Sequence, residues 1–243
     1  MNKLILPFSL LAVWQAIPWL ELVPRFILPG PIAVAEAIWS NRALLGEHLL
    51  VTLGEVAAGF VIGAALGVAF AVAMMLSPVA RLNLRPILNA SQAIPVFVLA
   101  PILTLWFGYG MEPKVVMTIL LVFFPIMSGL LDGMISTPAA TLDLAHIARA
   151  SPVRTLFWLR LPHALPHLAA SIRIAITYAP TGAVIGEWIG ASKGLGYLML
   201  MANARTRIEL MFAALVLIVA MTLSLHKGAD WLLKRYLDPT RPQ

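Results

Sequence analysis

The sequence predicts an all-α, polytopic membrane protein with six transmembrane helices, and three observations carry that reading. Of its 243 residues, 60% are hydrophobic and 12% charged, against about 45–50% and about 25% in soluble domains. The mean hydropathy is +0.90. The charges are also spaced to leave five charge-free runs of 17 to 26 residues, each near the roughly 20 apolar residues that a helix needs to cross a bilayer. A soluble globular domain and a disordered chain are both excluded, and the natural count is one domain in lipid.

The five runs are 4–20, 56–80, 86–111, 115–131 and 210–226, and a sixth apolar segment, about 164–189, is interrupted by His167, Arg173 and Glu187. The first run follows Lys3, as in a signal peptide, but Trp14-Gln-Ala-Ile-Pro-Trp19 stands where a small-x-small cleavage site belongs. It therefore reads as an uncleaved anchor. With six spans, ten Lys and Arg fall on the side of the termini and six on the other, which predicts both termini in the cytoplasm. The chain divides into an N-terminal span and outer loop (1–46), the main transmembrane domain (47–235), and a cytoplasmic tail (236–243). In the outer loop, Ala33-Val-Ala-Glu-Ala-Ile-Trp39 is amphipathic and is expected to lie in the interface. The net charge of +6 is spread over single Lys and Arg with no basic stripe, which points to anionic lipid and away from nucleic acid.

The second span carries Gly59, Gly63 and Gly67, two GxxxG steps that let another helix approach closely. Glu55 and Asp132 are expected at the head groups. Arg173 and Glu187 fall deeper, and a charge in hydrocarbon costs about 2.5–3.5 kcal/mol even on insertion scales, so both are candidates for a polar substrate path. At 14 residues they stand about 21 Å apart on one helix and cannot pair; Arg173 is expected to neutralise Asp132. In the third span Pro95 and Pro101 free backbone carbonyls. Gln92, Pro95 and Trp188 complete the pathway candidates, the indole as a stacking face or an interfacial anchor and the amide as donor and acceptor.

Signatures of catalysis are missing. With no Cys, there is no thiolate metal site, redox pair or Cys nucleophile. There is no GxxxxGK[ST], HExxH or GxSxG, and His163 and His167, four apart, have no acidic ligand in register. No cofactor or metal is expected on this chain.

The loop 136–163 holds Asp143-Leu-Ala-His-Ile-Ala-Arg-Ala-Ser-Pro-Val-Arg-Thr-Leu-Phe-Trp-Leu-Arg-Leu-Pro162. This resembles the EAA loop of the permease subunits of bacterial ABC importers: EAA, three residues, Gly, nine residues, Ile, one residue, Leu-Pro. Asp143, Ala145, Leu159 and Leu161-Pro162 fall at the acidic, second alanine, isoleucine and terminal positions. Leu144 and Arg149 depart from alanine and glycine, and the arginine is expected to disturb the sharp turn, leaving Ser151-Pro152 to break the helix. The resemblance implies the type I importer permease fold. It also implies a coupling helix over 141–150 that docks on a separate ATPase holding ATP and Mg, with Asp143, Ala145, Arg149, Leu161 and Pro162 as coupling residues. A second permease copy and an extracytoplasmic binding protein complete the assembly. Gly186-Glu-Trp-Ile-Gly-Ala-Ser-Lys-Gly-Leu-Gly-Tyr-Leu198 is similar to the nitrate, sulfonate and taurine group. Ser91-Gln-Ala-Ile-Pro95, Leu105-Trp-Phe-Gly108 and Ala202-Asn-Ala-Arg205 look most like permeases for hydroxymethylpyrimidine, a thiamine precursor. The alternatives are a sulfonate, taurine or nitrate permease, an ion-coupled secondary transporter using Arg173 and Glu187 as a relay, and an intramembrane enzyme.

Overall fold

The computed structural model describes residues 5–24 and 26–236, which form helices and connecting turns with no strand among them. The helices are α1 (Ile5–Trp19), α2 (Pro31–Ser40), α3 (Arg42–Leu76), α4 (Pro78–Ser91), α5 (Val96–Phe107) and α6 (Glu112–Ile135). Then follow α7 (Ala139–Ile147), α8 (Pro152–Thr155), a π turn (Leu156–Arg160), α9 (Leu161–Gly190), α10 (Leu195–Ala204) and α11 (Ile208–Tyr236). Proline opens several of them: Pro31, Pro78, Pro113 and Pro152 lie in the first two helical positions, where the missing N–H would have had no helical partner.

The centre of the fold is α6, held between α3 and α9 by residues too small to keep the backbones apart. A methyl group on Gly63 would stand 3.1 Å from Val122 Cβ, and one on Gly67 would stand 2.9 Å from the Phe123 carbonyl oxygen. Gly59 meets Thr118 in the same way. On the other flank Gly182 lies against Thr118 and Gly186 against Lys114, while Gly133 and Gly129 of α6 meet His167 and Ser171 of α9. The pairings rise together along α3 and α6 and run oppositely along α6 and α9, so α3 and α6 are parallel and α9 is antiparallel to both. The segment between α3 and α6 must therefore return from one end of the pair to the other.

That return is where the expected third span differs from the structure. The run 86–111 is not one helix: α4 and α5 meet at 98° across a four-residue break. Gln92, Ala93 and Ile94 close the end of α4 with turn hydrogen bonds, and Pro95 pushes Ile94 out of the helical region and caps α5. Four single helices are long and apolar enough to cross a membrane (α3, α6, the continuous stretch from α8 to α9, and α11), and the bent pair makes a fifth crossing. α1 is a shorter apolar helix whose Trp14 packs against Phe212 of α11 and donates to the Pro29 carbonyl at 3.0 Å.

The second span also starts earlier than the charge-free run. α3 has 35 residues, about 52 Å of helix, where a hydrocarbon core of about 30 Å would suffice. The surplus is the charge-bearing end before residue 56. There Leu45 joins Val34 of α2, Leu195 and Leu198 of α10, and Leu210 of α11 in an apolar cluster separate from those between the spans. Residues 33–39 thus form part of a helix packed on this cluster through Val34.

A substitution test follows from the α3–α6 contact. Gly63→Leu overfills it and is expected to destabilise the solubilised chain by about 1–3 kcal/mol. Gly46→Ala, at a site with nothing within 4 Å of the new methyl group, should be neutral or stabilising by up to about 1 kcal/mol. Thermal unfolding in detergent, followed by circular dichroism, compares the two.

Candidate functional site

The loop between α6 and α9 builds a compact surface at one end of the bundle. Ser136 and Thr137 close α6 by donating their hydroxyls to the carbonyls of Gly133 and Met134, each at 2.9 Å. Pro138 then starts α7, which ends in a Schellman turn: Arg149 N–H donates to His146 O at 3.0 Å and Ala150 N–H to Ala145 O at 2.9 Å. The sharp turn forms although glycine is absent, because Arg149 itself adopts the left-handed conformation at φ 51°. Ser151 Oγ accepts from Arg154 N–H at 3.3 Å and restarts the chain as α8. The helix 139–147 ends three residues before the expected 141–150, since the Arg149 turn precedes Ser151-Pro152, and it starts two residues earlier.

This arrangement sorts the sequence-predicted residues. Ala145 faces inward, and Asp143 and Arg149 are exposed, as are Leu144 (67%) and Ile147 (78%). Beside them a groove of about 640 Å³ runs between α7 and the π turn, lined by Leu144, Ala148, Arg154 and Trp158 among others. Leu161 is half-buried and packs on the α3–α6–α9 core, whereas Pro162 is exposed. Arg160, in the π turn, donates to the Met134 carbonyl at 3.1 Å and reaches Met75 Sδ at 3.7 Å. One guanidinium thus joins the loop to the ends of α6 and α3.

At the opposite end of the bundle lies a buried polar cluster. His48, Thr52 and Glu55 are spaced i, i+4, i+7 on one face of α3 and turn toward α9 and the α9–α10 turn. Glu187, 1% exposed, accepts from Thr52 Oγ1 at 2.6 Å and from Gly196 N–H at 2.5 Å. The Thr52 hydroxyl in turn accepts from Leu195 N–H at 2.8 Å, and His48 Nδ1 accepts from Gly194 N–H at 2.9 Å. Gly194 is required here twice over: its φ is 114°, and a side chain would strike the Glu187 carboxylate. Lys114, 1% exposed, donates to the carbonyls of Tyr109 at 3.2 Å, Gly110 at 2.7 Å, and Gly190. Glu55 sits beside Glu187 and Lys114, with Oε2 lacking a hydrogen-bond partner.

Glu55, expected at the head groups, is enclosed by protein there, 3% exposed. Two expectations are corrected. Lys114, counted as a loop charge, is enclosed by the helix ends whose carbonyls it binds. Arg173 does not neutralise Asp132: Arg173 Nε pairs with Asp230 of α11 at 2.8 Å, and Asp132 Oδ1 with Arg85 of α4 at 2.6 Å. Asp230 also holds Lys234 at 2.6 Å, and Thr177 meets His226 at 3.1 Å on the same α9–α11 seam. Arg173 and Glu187 therefore have separate partners on separate helices, which removes the motive for a relay between them. Gln92 and Pro95 lie exposed at the α4–α5 break, and Trp188 is half-exposed beside the enclosed Glu187. Among the described residues no group of His, Asp and Glu is arranged to hold a metal.

Against known proteins, residues 59–239 match the family model of the binding-protein-dependent transport system inner membrane component. The chain belongs to that family. A probable ABC transporter permease of Haemophilus influenzae is 46% identical over 237 residues, covering 98% of this chain and 97% of the relative. The riboflavin transport system permease RibX of Chloroflexus aurantiacus is 38% identical over 230 residues (94% and 85%). The formylaminopyrimidine transport permease ThiX of Halalkalibacterium halodurans is 38% identical over 173 residues (71% and 69%). The MetNI methionine ABC transporter in an inward-facing form shares the fold, with a TM-score of 0.63 at 21% identity over 82% of this chain and 96% of that one. The protein is thus an all-α, multi-pass inner-membrane permease subunit of an ABC importer, a transport component with ATP hydrolysis assigned to a separate subunit.

Two measurements test this geometry. Arg149→Gly relieves a left-handed residue and should stabilise the permease by roughly 1 kcal/mol, read as a raised melting temperature. In a double-mutant cycle Arg173→Ala and Asp230→Ala should be non-additive by at least about 0.5 kcal/mol, while Arg173→Ala and Asp132→Ala should add.

Proposed function

We propose that the permease imports a small nitrogen heterocycle of the hydroxymethylpyrimidine class, a thiamine precursor, by alternating access driven by a cytoplasmic ATPase. The observation that carries the ATP-driven part is the exposed α7 with its Schellman turn, on a chain with no phosphate-binding loop. The substrate class rests on the similarity to ThiX and RibX, both named for ring-nitrogen solutes.

In this reading the α7 end and both termini face the cytoplasm, and the buried polar cluster lies at the outer end. Two permease copies form the pathway, two ATPase subunits carrying ATP and Mg grip the α7 helices, and an extracytoplasmic binding protein delivers the solute to the outer face. Asp143 and Arg149 supply exposed charges for the ATPase groove, while Ala145, Leu161 and Pro162 set the pose of α7 on the bundle. When the ATPase closes, displacement of α7 passes through Arg160 to the ends of α6 and α3. The α4–α5 break is the natural hinge, because its backbone has no continuous helical ladder to keep it stiff. Gln92 and Pro95 at that break, Trp188 at the outer end and Arg173 on the α9–α11 seam are the pathway positions, with Glu187 holding the outer wall in place. The sulfonate and taurine alternative is favoured by the run from Gly186 to Leu198 and by a taurine permease of Escherichia coli at 28% identity.

Co-purification with the ATPase encoded beside the permease tests the coupling assignment. The unsubstituted chain should retain the ATPase, and Asp143→Arg, an exposed substitution, and deletion of residues 141–150 should both lose it. An ATPase retained equally by all three would overturn the assignment. Binding of hydroxymethylpyrimidine, formylaminopyrimidine, riboflavin and taurine to the partner binding protein then ranks the substrates, with a pyrimidine expected first.

A further inference from the structure

Lys114 occupies a position that helix electrostatics disfavours. It is the third residue of α6, where the positive end of the helix dipole repels a cation. Its ammonium nevertheless lies inside the protein, and the atoms it binds explain why. Gly190 is the last residue of α9, so its carbonyl belongs to the negative end of that helix. Tyr109 and Gly110 lie just past Gly108, the C-cap of α5, and their carbonyls are left over where α5 ends. One side chain therefore satisfies acceptors from the α5–α6 turn and from the end of α9, and the Glu55 and Glu187 carboxyl groups lie beside it. Gly186 stands against the Lys114 backbone, so α9 is held close at the same level.

The other end of the α4–α5 pair has no such tie. α4 buries no residue, and residues 91–95 are exposed. Its clearest polar attachment is the half-exposed Arg85–Asp132 pair. The broken span is thus fastened at its outer turn and loosely held at its break.

We propose that Lys114 is a positioning residue of the transport cycle, pinning the outer end of the broken span to the outer end of α9 so that motion is confined to the hinge at 92–95. The role in a cycle rests on the importer function proposed above, whereas the pinning is a property of the chain alone. Lys114 touches no solute; it acts through the turn it holds.

The chain contains no Cys, so Tyr109→Cys and Ser192→Cys introduce a clean pair of spin labels, one on the α5–α6 turn and one on the α9–α10 turn, both at exposed positions. The distance between them is measured by pulsed electron resonance on the full chain in nanodiscs, with and without Lys114→Met. The double variant Lys114→Met, Glu55→Gln also replaces the carboxyl group beside the lost ammonium with a neutral amide and guards against misfolding. A single narrow distance is expected with Lys114, and a distribution at least twice as wide in both variants at unchanged helix content. In sealed proteoliposomes with ATPase and binding protein added, ATP consumed per solute imported should rise at least threefold in the variants. An unchanged distance distribution overturns the pin, and a broadened distribution with an unchanged ATP-to-solute ratio overturns its part in the cycle. Failure of the unsubstituted chain to retain any ATPase would count against the importer assembly instead, with the distance result standing apart.

Discussion

The structure depends on how closely α6 can be approached from both sides. In lipid the hydrophobic effect does not drive helices together, so association rests on van der Waals contact between backbones and on hydrogen bonds. Gly59, Gly63 and Gly67 on α3, Gly182 and Gly186 on α9, and Gly129 and Gly133 on α6 itself remove the side chains that would hold the axes apart. The polar groups are then clustered at the two ends of this three-helix unit. Arg160 ties the end that carries α7; Lys114, Glu187, Thr52 and His48 tie the other. Between the ends the contact is apolar, with Val56, Val122, Ile126, Ala175, Ala179 and Ala183 in one cluster.

This division gives the permease two kinds of part. The α3–α6–α9 unit is closely packed and tied at both ends. The α4–α5 pair is joined to it along a thinner contact and interrupted in the middle. A polar residue within the spans therefore means different things in the two parts. Glu187 is enclosed by hydroxyl and amide donors from α3 and α10. Gln92, at the break, is exposed.

Much of this was legible in the sequence because hydropathy and motif spacing are properties of single segments. The spans α6 and α11, the interruption of the apolar stretch ending at Ile189, and the loop from Asp143 to Pro162 all follow from counting along the chain. Partners are a different matter. Similar depth pairs Arg173 with Asp132, but Asp230 is the carboxylate it meets, and nothing in a one-dimensional count ranks two carboxylates on different helices. Lys114 stood one residue before a charge-free run and so looked like a loop residue; only the neighbouring helix ends reveal why it is buried. The face His48-Thr52-Glu55 was visible as an i, i+4, i+7 pattern and could have been read as one polar stripe. Likewise the bend at 92–95 was hidden because Gln, Ala and Ile carry no charge to interrupt the run. Arg149 shows the reverse error: a motif position that asks for glycine was filled by a residue that adopts the same backbone conformation at a cost.

The surplus length of α3 has a consequence for what holds the molecule together. The cluster of Val34, Leu45, Leu198 and Leu210 gathers on the end of α3 ahead of its charge-free run. Wherever such side chains are sheltered from water and not from lipid, their cohesion comes from solvent exclusion and carries its heat-capacity signature. The spans cohere by van der Waals contact and hydrogen bonds. A single chain therefore obeys two laws of adhesion, one that weakens on cooling and one with little such dependence, and they meet along one continuous helix.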